Sequence, residues 1–305
     1  MRLIPGGQIV REAAQDGYAV AAINCQGGNY DIVRAVLETA DEERAPVILM
    51  AYEKNTEYYG LGWLPTLVSA LGPRYSIPVG VHLDHGQNIE AVEEAVDLGY
   101  TSVMIDYSTK PLEENIRATS RVISAARNRG VSVEAELGEL QRNQGAGGGG
   151  SGGSGARGSA GASSGAASAA ENLVDPRHVE QFLNEAPVDM LAVGIGNAHG
   201  FYKGTPNIRL DLLQEVNKVS GGTPLVLHGT TGIPPETVKA CISNGMAKIN
   251  FGTAVRVGFM DYLIGGANGE FDHKGHIWRL CRYAKDRVKE DIRTIIRLTG
   301  SAGRA

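Results

Sequence analysis

Short apolar runs alternate with helical patterns along most of this chain, and this alternation restricts the possible folds more than any other feature. The runs predict eight strands, at residues 19–24, 47–51, 79–83, 102–105, 131–136, 190–195, 224–227 and 247–250. Apolar residues at helical spacing predict helices between them, at residues 30–44, 89–98, 112–129, 176–184 and 235–244. Eight strand–helix units in 305 residues predict an α/β fold, the closed parallel (β/α)8 TIM barrel.

An open, doubly wound sheet is the alternative fold. Its dinucleotide fingerprint is absent, because the turn after the first strand reads NCQGGNY. We therefore expect one barrel domain over residues 1–305. Extra C-terminal helices, predicted within 271–298, would pack on the barrel or on a second subunit.

A segment of 26 residues, 145–170, consists of Gly, Ser and Ala apart from Arg157. Such a composition cannot bury enough apolar area to order itself, so we predict a flexible loop that interrupts the barrel domain. Closing a longer flexible loop costs little entropy, and the barrel should tolerate it.

Charge and composition exclude several classes of partner. The net charge is −5, and no basic or aromatic–basic stripe points to nucleic acid. No apolar run reaches the roughly 18 residues needed to span a bilayer, so we expect no membrane partner. The N-terminal residues lack a secretory apolar region, and the three cysteines are widely spaced. These features lead us to expect a cytoplasmic protein.

Three of the seven histidines are followed by glycine and stand at predicted strand ends: His85, His199 and His228. The carboxyl ends of barrel strands meet at one face, where βα loops carry the chemistry. Neutral imidazoles that converge from different strands bind a divalent metal ion and leave positions open for substrate. A single strand-end histidine is more often structural, and His82 fits that description.

Other polar residues fall at the same strand ends. Asp84 is adjacent to His85 and points away from it, which suits an acid/base group or, alternatively, a carboxylate that orients a metal ligand. The loops after the last two strands, HGTTG and NFGT, have the hydroxyls and backbone N–H groups of a phosphate site.

These residues resemble the class II, metal-dependent ketose-bisphosphate aldolases, among them the fructose- and tagatose-bisphosphate aldolases. The matching motifs cover nearly the whole chain in order: YAVAAIN, VHLDHG, SVMID, VSVEAELG, GNAHG, PLVLHGTTGIP, AKINFGT and GSAGRA. The resemblance implies a zinc-dependent lyase that cleaves a phosphorylated ketose to dihydroxyacetone phosphate and an aldehyde.

The resemblance also implies roles for single residues. It places Zn2+ on His85, His199 and His228, with Glu136 close to the metal and Asp106 close to a possible second cation. Asp84 would be the acid/base group. Asn24, at the end of the first strand, is a further substrate-binding candidate, and the positions implied to hold the phosphate and the triose are Gly200, Gly229, Thr231, Asn250 and Thr253. We expect a homo-oligomer, either a dimer or a tetramer.

The chain departs from the family at three places. Thr231 replaces a serine and keeps the hydroxyl, whereas Tyr52 replaces a small residue that touches the triose. Gln144 stands where the family has a glutamate that moves the triose proton. Glu139 and Glu171 are the nearest carboxylates that could substitute. Two alternatives therefore stay open: a barrel that binds metal and sugar phosphate with weakened activity, and a metal-dependent isomerase or epimerase.

Overall fold

The computed structural model describes residues 1–138, 141–142, 173–202 and 204–305. The strands of these residues are β1 (Arg2–Leu3), β2 (Val20–Asn24), β3 (Val47–Tyr52), β4 (Pro78–Gly86), β5 (Ser102–Ile105), β6 (Ser132–Leu137), β7 (Gln141–Arg142), β8 (Met190–Val193), β9 (Ala198–His199), β10 (Leu225–Leu227) and β11 (Met246–Phe251). The α-helices are α1 (Gly6–Asp16), α2 (Tyr30–Glu42), α3 (Glu53–Tyr59), α4 (Trp63–Leu71), α5 (Ile89–Asp97), α6 (Leu112–Arg127), α7 (Pro176–Glu185), α8 (Leu210–Val219), α9 (Pro235–Ser243), α10 (Thr253–Gly265) and α11 (Ile277–Thr299).

Eight parallel strands close into a barrel. Their order is β4-β3-β2-β11-β10-β8-β6-β5, and β5 pairs with β4 to complete the ring. The predicted TIM barrel is confirmed, and the open-sheet alternative is wrong because an open sheet would leave two unpaired edges. Outside the ring, β1 pairs with β4 in parallel, and β7 pairs with β9.

Apolar and polar layers divide the barrel interior along its axis. Near the strand starts, Val20, Ile48 and Met190 form one cluster with Ile9 and Val10 of α1, which closes this end of the barrel. Polar side chains follow towards the strand ends, where the candidate site lies. The barrel is therefore closed by apolar side chains at the N-terminal ends of its strands and is polar at their C-terminal ends, where active sites of parallel barrels lie.

Five helices of the described residues were not predicted from the sequence pattern: α1 at the closed end of the barrel, and α3, α4, α8 and α10. α1 begins with Gly6 and Gly7, which are poor helix formers. Both glycines are needed for close packing, because a Cβ at Gly6 would lie 2.4 Å from Ser102 Oγ. At the other end of the chain, α11 packs against α2 and α9, and α10 packs on α11. The expected extra C-terminal helix is therefore present.

The predicted flexible loop at 145–170, together with Gln144, Glu139 and Glu171, lies outside the described residues. The assignment of one domain over residues 1–305 stays a prediction. No described helix is long and apolar enough to cross a bilayer.

Candidate active site

A cavity of about 430 Å³ opens at the carboxyl ends of the barrel strands. The predicted site residues that line it are Asn24, Asp84, His85, His199, Gly200, Gly229, Thr231, Asn250 and Thr253. His228, Glu136 and Asp106 do not line the cavity, and the first two are almost fully buried. The volume is in the usual range for a small-molecule site.

The three predicted metal ligands converge next to this cavity. One nitrogen from each of His85, His199 and His228 lies within 4.8 Å of the other two. His85 Nε2 and His228 Nδ1 face each other at 3.2 Å. His228 lies directly after β10, as predicted, whereas His85 lies inside β4 and His199 lies in the short β9.

Unusual backbone conformations bring these histidines together. His85 has φ of 50°, in the left-handed region that costs a non-glycine residue about 1 kcal/mol or more. Gly229, directly after His228, has φ of 64°, and a Cβ there would lie 2.3 Å from the carbonyl oxygen of Ala198. Only glycine fits at this crossing, which explains why glycine follows His228.

Carboxylates orient two of the imidazole rings. His85 Nδ1 lies 2.8 Å from Asp106 Oδ2, and His228 Nε2 lies 2.9 Å from Glu134 Oε1. An ionised carboxylate only accepts hydrogen bonds, so each of these nitrogens carries the proton. The opposite nitrogens, His85 Nε2 and His228 Nδ1, are then the ones that can bind a metal ion.

Negative charge is in excess around His85. Burial opposes protonation of the ring, but the neighbouring carboxylates, Asp84 foremost, raise the pKa of His85 to about 10. Burial, followed by the negative charge of Asp106, raises the pKa of Glu136 well above its usual range. Burial also opposes ionisation of Asp84, but the positive charge of His85 nevertheless holds the pKa of Asp84 below its usual value. Such a site favours a bound cation.

The donor set fits a divalent ion. A tetrahedral ion with metal–nitrogen distances of about 2.0–2.1 Å separates its nitrogen ligands by roughly 3.3–3.4 Å, close to the 3.2 Å between His85 and His228. Among the described residues, the buried Oε2 of Glu136 makes no hydrogen bond, and it lies 3.3 Å from His228 Nδ1. His85, Asp106 and Glu136 form a second group with metal-ligand spacing.

Asp84 faces the cavity beside this group. Its Oδ1 lies 4.0 Å from His85 Nε2 and accepts a hydrogen bond from Asn250 Nδ2 at 3.2 Å. The residue is 6% exposed. A buried carboxylate held in this way, next to a cation site, can exchange a proton with a substrate hydroxyl.

The opposite wall of the cavity has the features of an anion site. Gly252 and Thr253 stand at the N-terminus of α10, where unpaired backbone N–H groups attract anions. Gly229 and Thr231 border the same wall. Arg256, one turn into α10, also lines the cavity.

Several functional residues were missed by sequence reasoning. Asn197 Nδ2 donates to the carbonyl of His228 at 3.0 Å, and the Tyr202 hydroxyl joins Ala198 N to the carbonyl of Gly229. These contacts tie the His199 loop to the His228 turn. Asn197 and Glu134 lie in the strand-end motifs GNAHG and VEAELG, which gave them no role, and nothing in the sequence marked Tyr202 or Arg256.

The fold and the site together define a (β/α)8-barrel protein with a histidine-rich group that could hold a divalent metal ion, next to a cavity wall suited to an anion. Sequence comparison gives the family. The family model described as fructose-bisphosphate aldolase class-II matches residues 5–304. The chain belongs to the class II fructose-bisphosphate aldolase family, and it is a metal-dependent aldolase, a carbon–carbon lyase.

Individual relatives agree. The chain is 35% identical to a fructose-bisphosphate aldolase of Staphylococcus epidermidis and 35% identical to a probable fructose-bisphosphate aldolase of Bacillus subtilis, with both chains covered completely in each case. Among solved structures, the YdjI aldolase of Escherichia coli K12 superposes with a TM-score of 0.83 at 27% identity, over the full length of both chains. The comparisons give no support to an isomerase, an epimerase or a repurposed barrel.

Proposed function

We propose that this aldolase uses Zn2+ held by His85, His199 and His228, with Glu136 adjacent to the ion. The observation that carries this proposal is the pair of facing nitrogens, His85 Nε2 and His228 Nδ1, at 3.2 Å. Imidazole and carboxylate ligands suit zinc among the common divalent ions, and zinc sites in proteins are usually tetrahedral. The ion, when bound, polarises the ketose carbonyl and stabilises the negative charge that develops during cleavage.

Asp106 contributes through His85. Its carboxylate holds the Nδ1 proton of the ring, so that Nε2 faces the metal position. Burial opposes ionisation of Asp106, but the hydrogen bond from His85 holds its pKa below its usual range. A second cation on His85, Asp106 and Glu136 remains a proposal that rests on their spacing.

The substrate is a phosphorylated ketose, and we propose a ketose 1,6-bisphosphate. One phosphate lies at the wall formed by Gly229, Thr231 and Thr253 and by the N-terminus of α10. Gly200, Asn24 and Asn250 contact the triose part. Arg256 is the one arginine among the described residues that line this cavity, and it binds a phosphate oxygen.

Asp84 performs the proton transfer at the aldehyde half. In cleavage, its carboxylate takes the proton from the hydroxyl of the carbon that becomes the aldehyde, and the carbon–carbon bond next to it breaks. In condensation, Asp84 returns this proton to the aldehyde oxygen. Asn250 keeps the carboxylate in place through its hydrogen bond to Oδ1.

The proton of the triose carbon requires a second group, for which Gln144 is not suited. A glutamine amide does not act as an acid or a base near neutral pH, so it cannot take a proton from the triose carbon. We propose that this step is slow in the present protein unless another carboxylate reaches the site.

The function is tested by release of dihydroxyacetone phosphate from a panel of ketose 1,6-bisphosphates, with chelator-stripped protein and with added Zn2+. Cleavage of at least one bisphosphate that depends on zinc supports the proposal. Binding of zinc and of the sugar phosphate without turnover would instead favour the weakened barrel.

We also propose a homo-oligomer. Four large apolar side chains on α10 and α11 are at least 48% exposed: Met260, Ile264, Ile277 and Trp278. A second copy of the chain would bury them. Light scattering after size-exclusion chromatography should show a dimer or tetramer, and the double substitution Ile264→Glu/Ile277→Glu should shift it to the monomer.

A further inference from the structure

A buried pair of charges crosses the barrel interior below the three histidines. Lys248 on β11 donates from Nζ to Glu134 Oε2 on β6 at 2.8 Å. Both side chains are fully buried. In the described part of the chain, Glu134 is the one carboxylate that pairs with Lys248. The proton transfers proposed above use neither residue.

The two oxygens of Glu134 serve different partners. Oε2 accepts from the Lys248 ammonium, and Oε1 accepts from His228 Nε2 at 2.9 Å. Because the ammonium fixes the rotation of the carboxylate, Oε1 stays directed at the imidazole. An acceptor at this position requires the proton on Nε2, which leaves the lone pair on Nδ1.

A third side chain lies close to the same carboxylate. His82 Nε2 lies 3.7 Å from Glu134 Oε2 and has no hydrogen-bond partner among residues with described side chains. Burial, together with the positive charge of Lys248, lowers the pKa of His82 to about 3, so this ring is neutral. Without Lys248, the carboxylate could rotate towards His82 and release His228.

We propose that Lys248 is a positioning residue for the metal centre. Acting through Glu134, it holds His228 with Nε2 protonated and Nδ1 directed at the metal position. It thereby sets the affinity and the geometry of the divalent ion. This inference rests on the proposed function of His228 as a metal ligand.

Zinc affinity of folded variants tests the proposal. Removing Lys248 alone leaves a buried, unpaired carboxylate, which can prevent folding. The double substitution Lys248→Met/Glu134→Gln removes both charges and keeps an amide oxygen for His228. We expect this variant to fold, with far-UV circular dichroism unchanged, and to bind Zn2+ about 10- to 100-fold more weakly than the wild type in competition with a chromophoric chelator. Its Co2+ absorption spectrum should also change.

The chain offers a matched control. Lys285 on α11 is another buried lysine and pairs with Glu38 on α2 at 2.5 Å, outside the barrel. The variant Lys285→Met/Glu38→Gln should bind Zn2+ as the wild type does. An affinity within threefold of wild type in the folded Lys248→Met/Glu134→Gln variant would refute the proposal. Loss of zinc binding in the separate variant His228→Ala would still support the metal site, so failure of the two claims can be told apart.

A measurement on the wild type covers the case in which the double variant does not fold. Nitrogen-15 chemical shifts of the metal-free protein distinguish the two imidazole tautomers. We expect His228 to carry its proton on Nε2. A proton on Nδ1 would overturn the role of Lys248.

Discussion

Replacement of Asp84 by asparagine separates proton transfer from metal binding. The substitution keeps the size of the side chain, and an amide oxygen can still accept the 3.2 Å hydrogen bond from Asn250 Nδ2. The residue is 6% exposed and lies at the end of β4, so its packing should not change. What is removed is the carboxylate that exchanges a proton with the substrate.

The expected loss is large. A positioned general base contributes about 10²–10⁴ in rate, which corresponds to roughly 2.7–5.5 kcal/mol of transition-state stabilisation. Because the pKa of Asp84 is held below its usual value, the wild-type carboxylate is ionised throughout the neutral range. The asparagine variant has no group that ionises at this position, so raising the pH should not restore its activity. Asp84→Asn should therefore lose at least 10²-fold in kcat/KM for a ketose bisphosphate at every pH from 6 to 9.

Metal content distinguishes this reasoning from the alternative in which Asp84 orients a ligand. Zinc bound per chain and kcat/KM are measured on the same preparation. The matched control is Asp41→Asn, which changes an aspartate that accepts from Ser76 N far from the cavity. Asp84→Asn should keep wild-type zinc content. Loss of zinc together with activity would refute the acid/base assignment, and so would a rate within threefold of wild type.

Four further predictions concern the candidate site. Arg256→Met should lower kcat/KM for bisphosphates by about tenfold or more, the size of a lost charged hydrogen bond, while zinc content stays constant; an unchanged kcat/KM would exclude Arg256 from phosphate binding. In metal-free protein the neighbouring carboxylates raise the pKa of His85 from 6.5 to about 10, so a metal ion must displace a proton from this ring. The apparent zinc affinity should therefore increase about tenfold per pH unit from pH 7 to 9. Calorimetry in two buffers measures both the affinity and the proton release. By the same linkage, the stabilisation of metal-free protein by His85 is fully present below pH 6.5 and is lost as pH rises towards 10, so its melting temperature should fall over this range. Exchange of the triose proton of dihydroxyacetone phosphate with solvent deuterium should be at least about 10²-fold slower than in class II aldolases with a loop glutamate, and a matching rate would mean that another carboxylate, such as Glu139 or Glu171, reaches the site.

The barrel was predictable because its strands are buried on both faces and read as short Val-, Ile- and Ala-rich runs. The prediction for β4 stopped at residue 83, whereas the strand continues to Gly86. The run His-Leu-Asp-His looks like a loop, but Asp84 and His85 line the cavity at the barrel mouth, and Leu83 packs in the apolar core. The cost of burying these polar groups is offset by hydrogen bonds and ion pairs with residues of other strands. A pattern of apolar residues along the chain cannot show such partners.

The candidate site was predictable where local sequence carries the signal. The glycine that follows His228 marks a close backbone crossing, because a Cβ at Gly229 would lie 2.3 Å from the carbonyl oxygen of Ala198. Pairs that join distant strands leave no such signal. Lys248 and Glu134 are 114 residues apart and meet only because β11 and β6 face each other across the barrel. Arg256 was missed because α10, which carries it into the cavity, was not predicted as a helix.

The dependence of cleavage on zinc tests the central claim most directly. Chelator-stripped protein is titrated with Zn2+, and release of dihydroxyacetone phosphate from a ketose bisphosphate is followed at each addition. We predict that activity is absent without metal, rises linearly and saturates when His85, His199 and His228 of every chain hold one ion, and that His228→Ala stays inactive throughout. Full activity of the stripped wild-type protein, or of His228→Ala, would contradict a metal-dependent aldolase built on these three histidines.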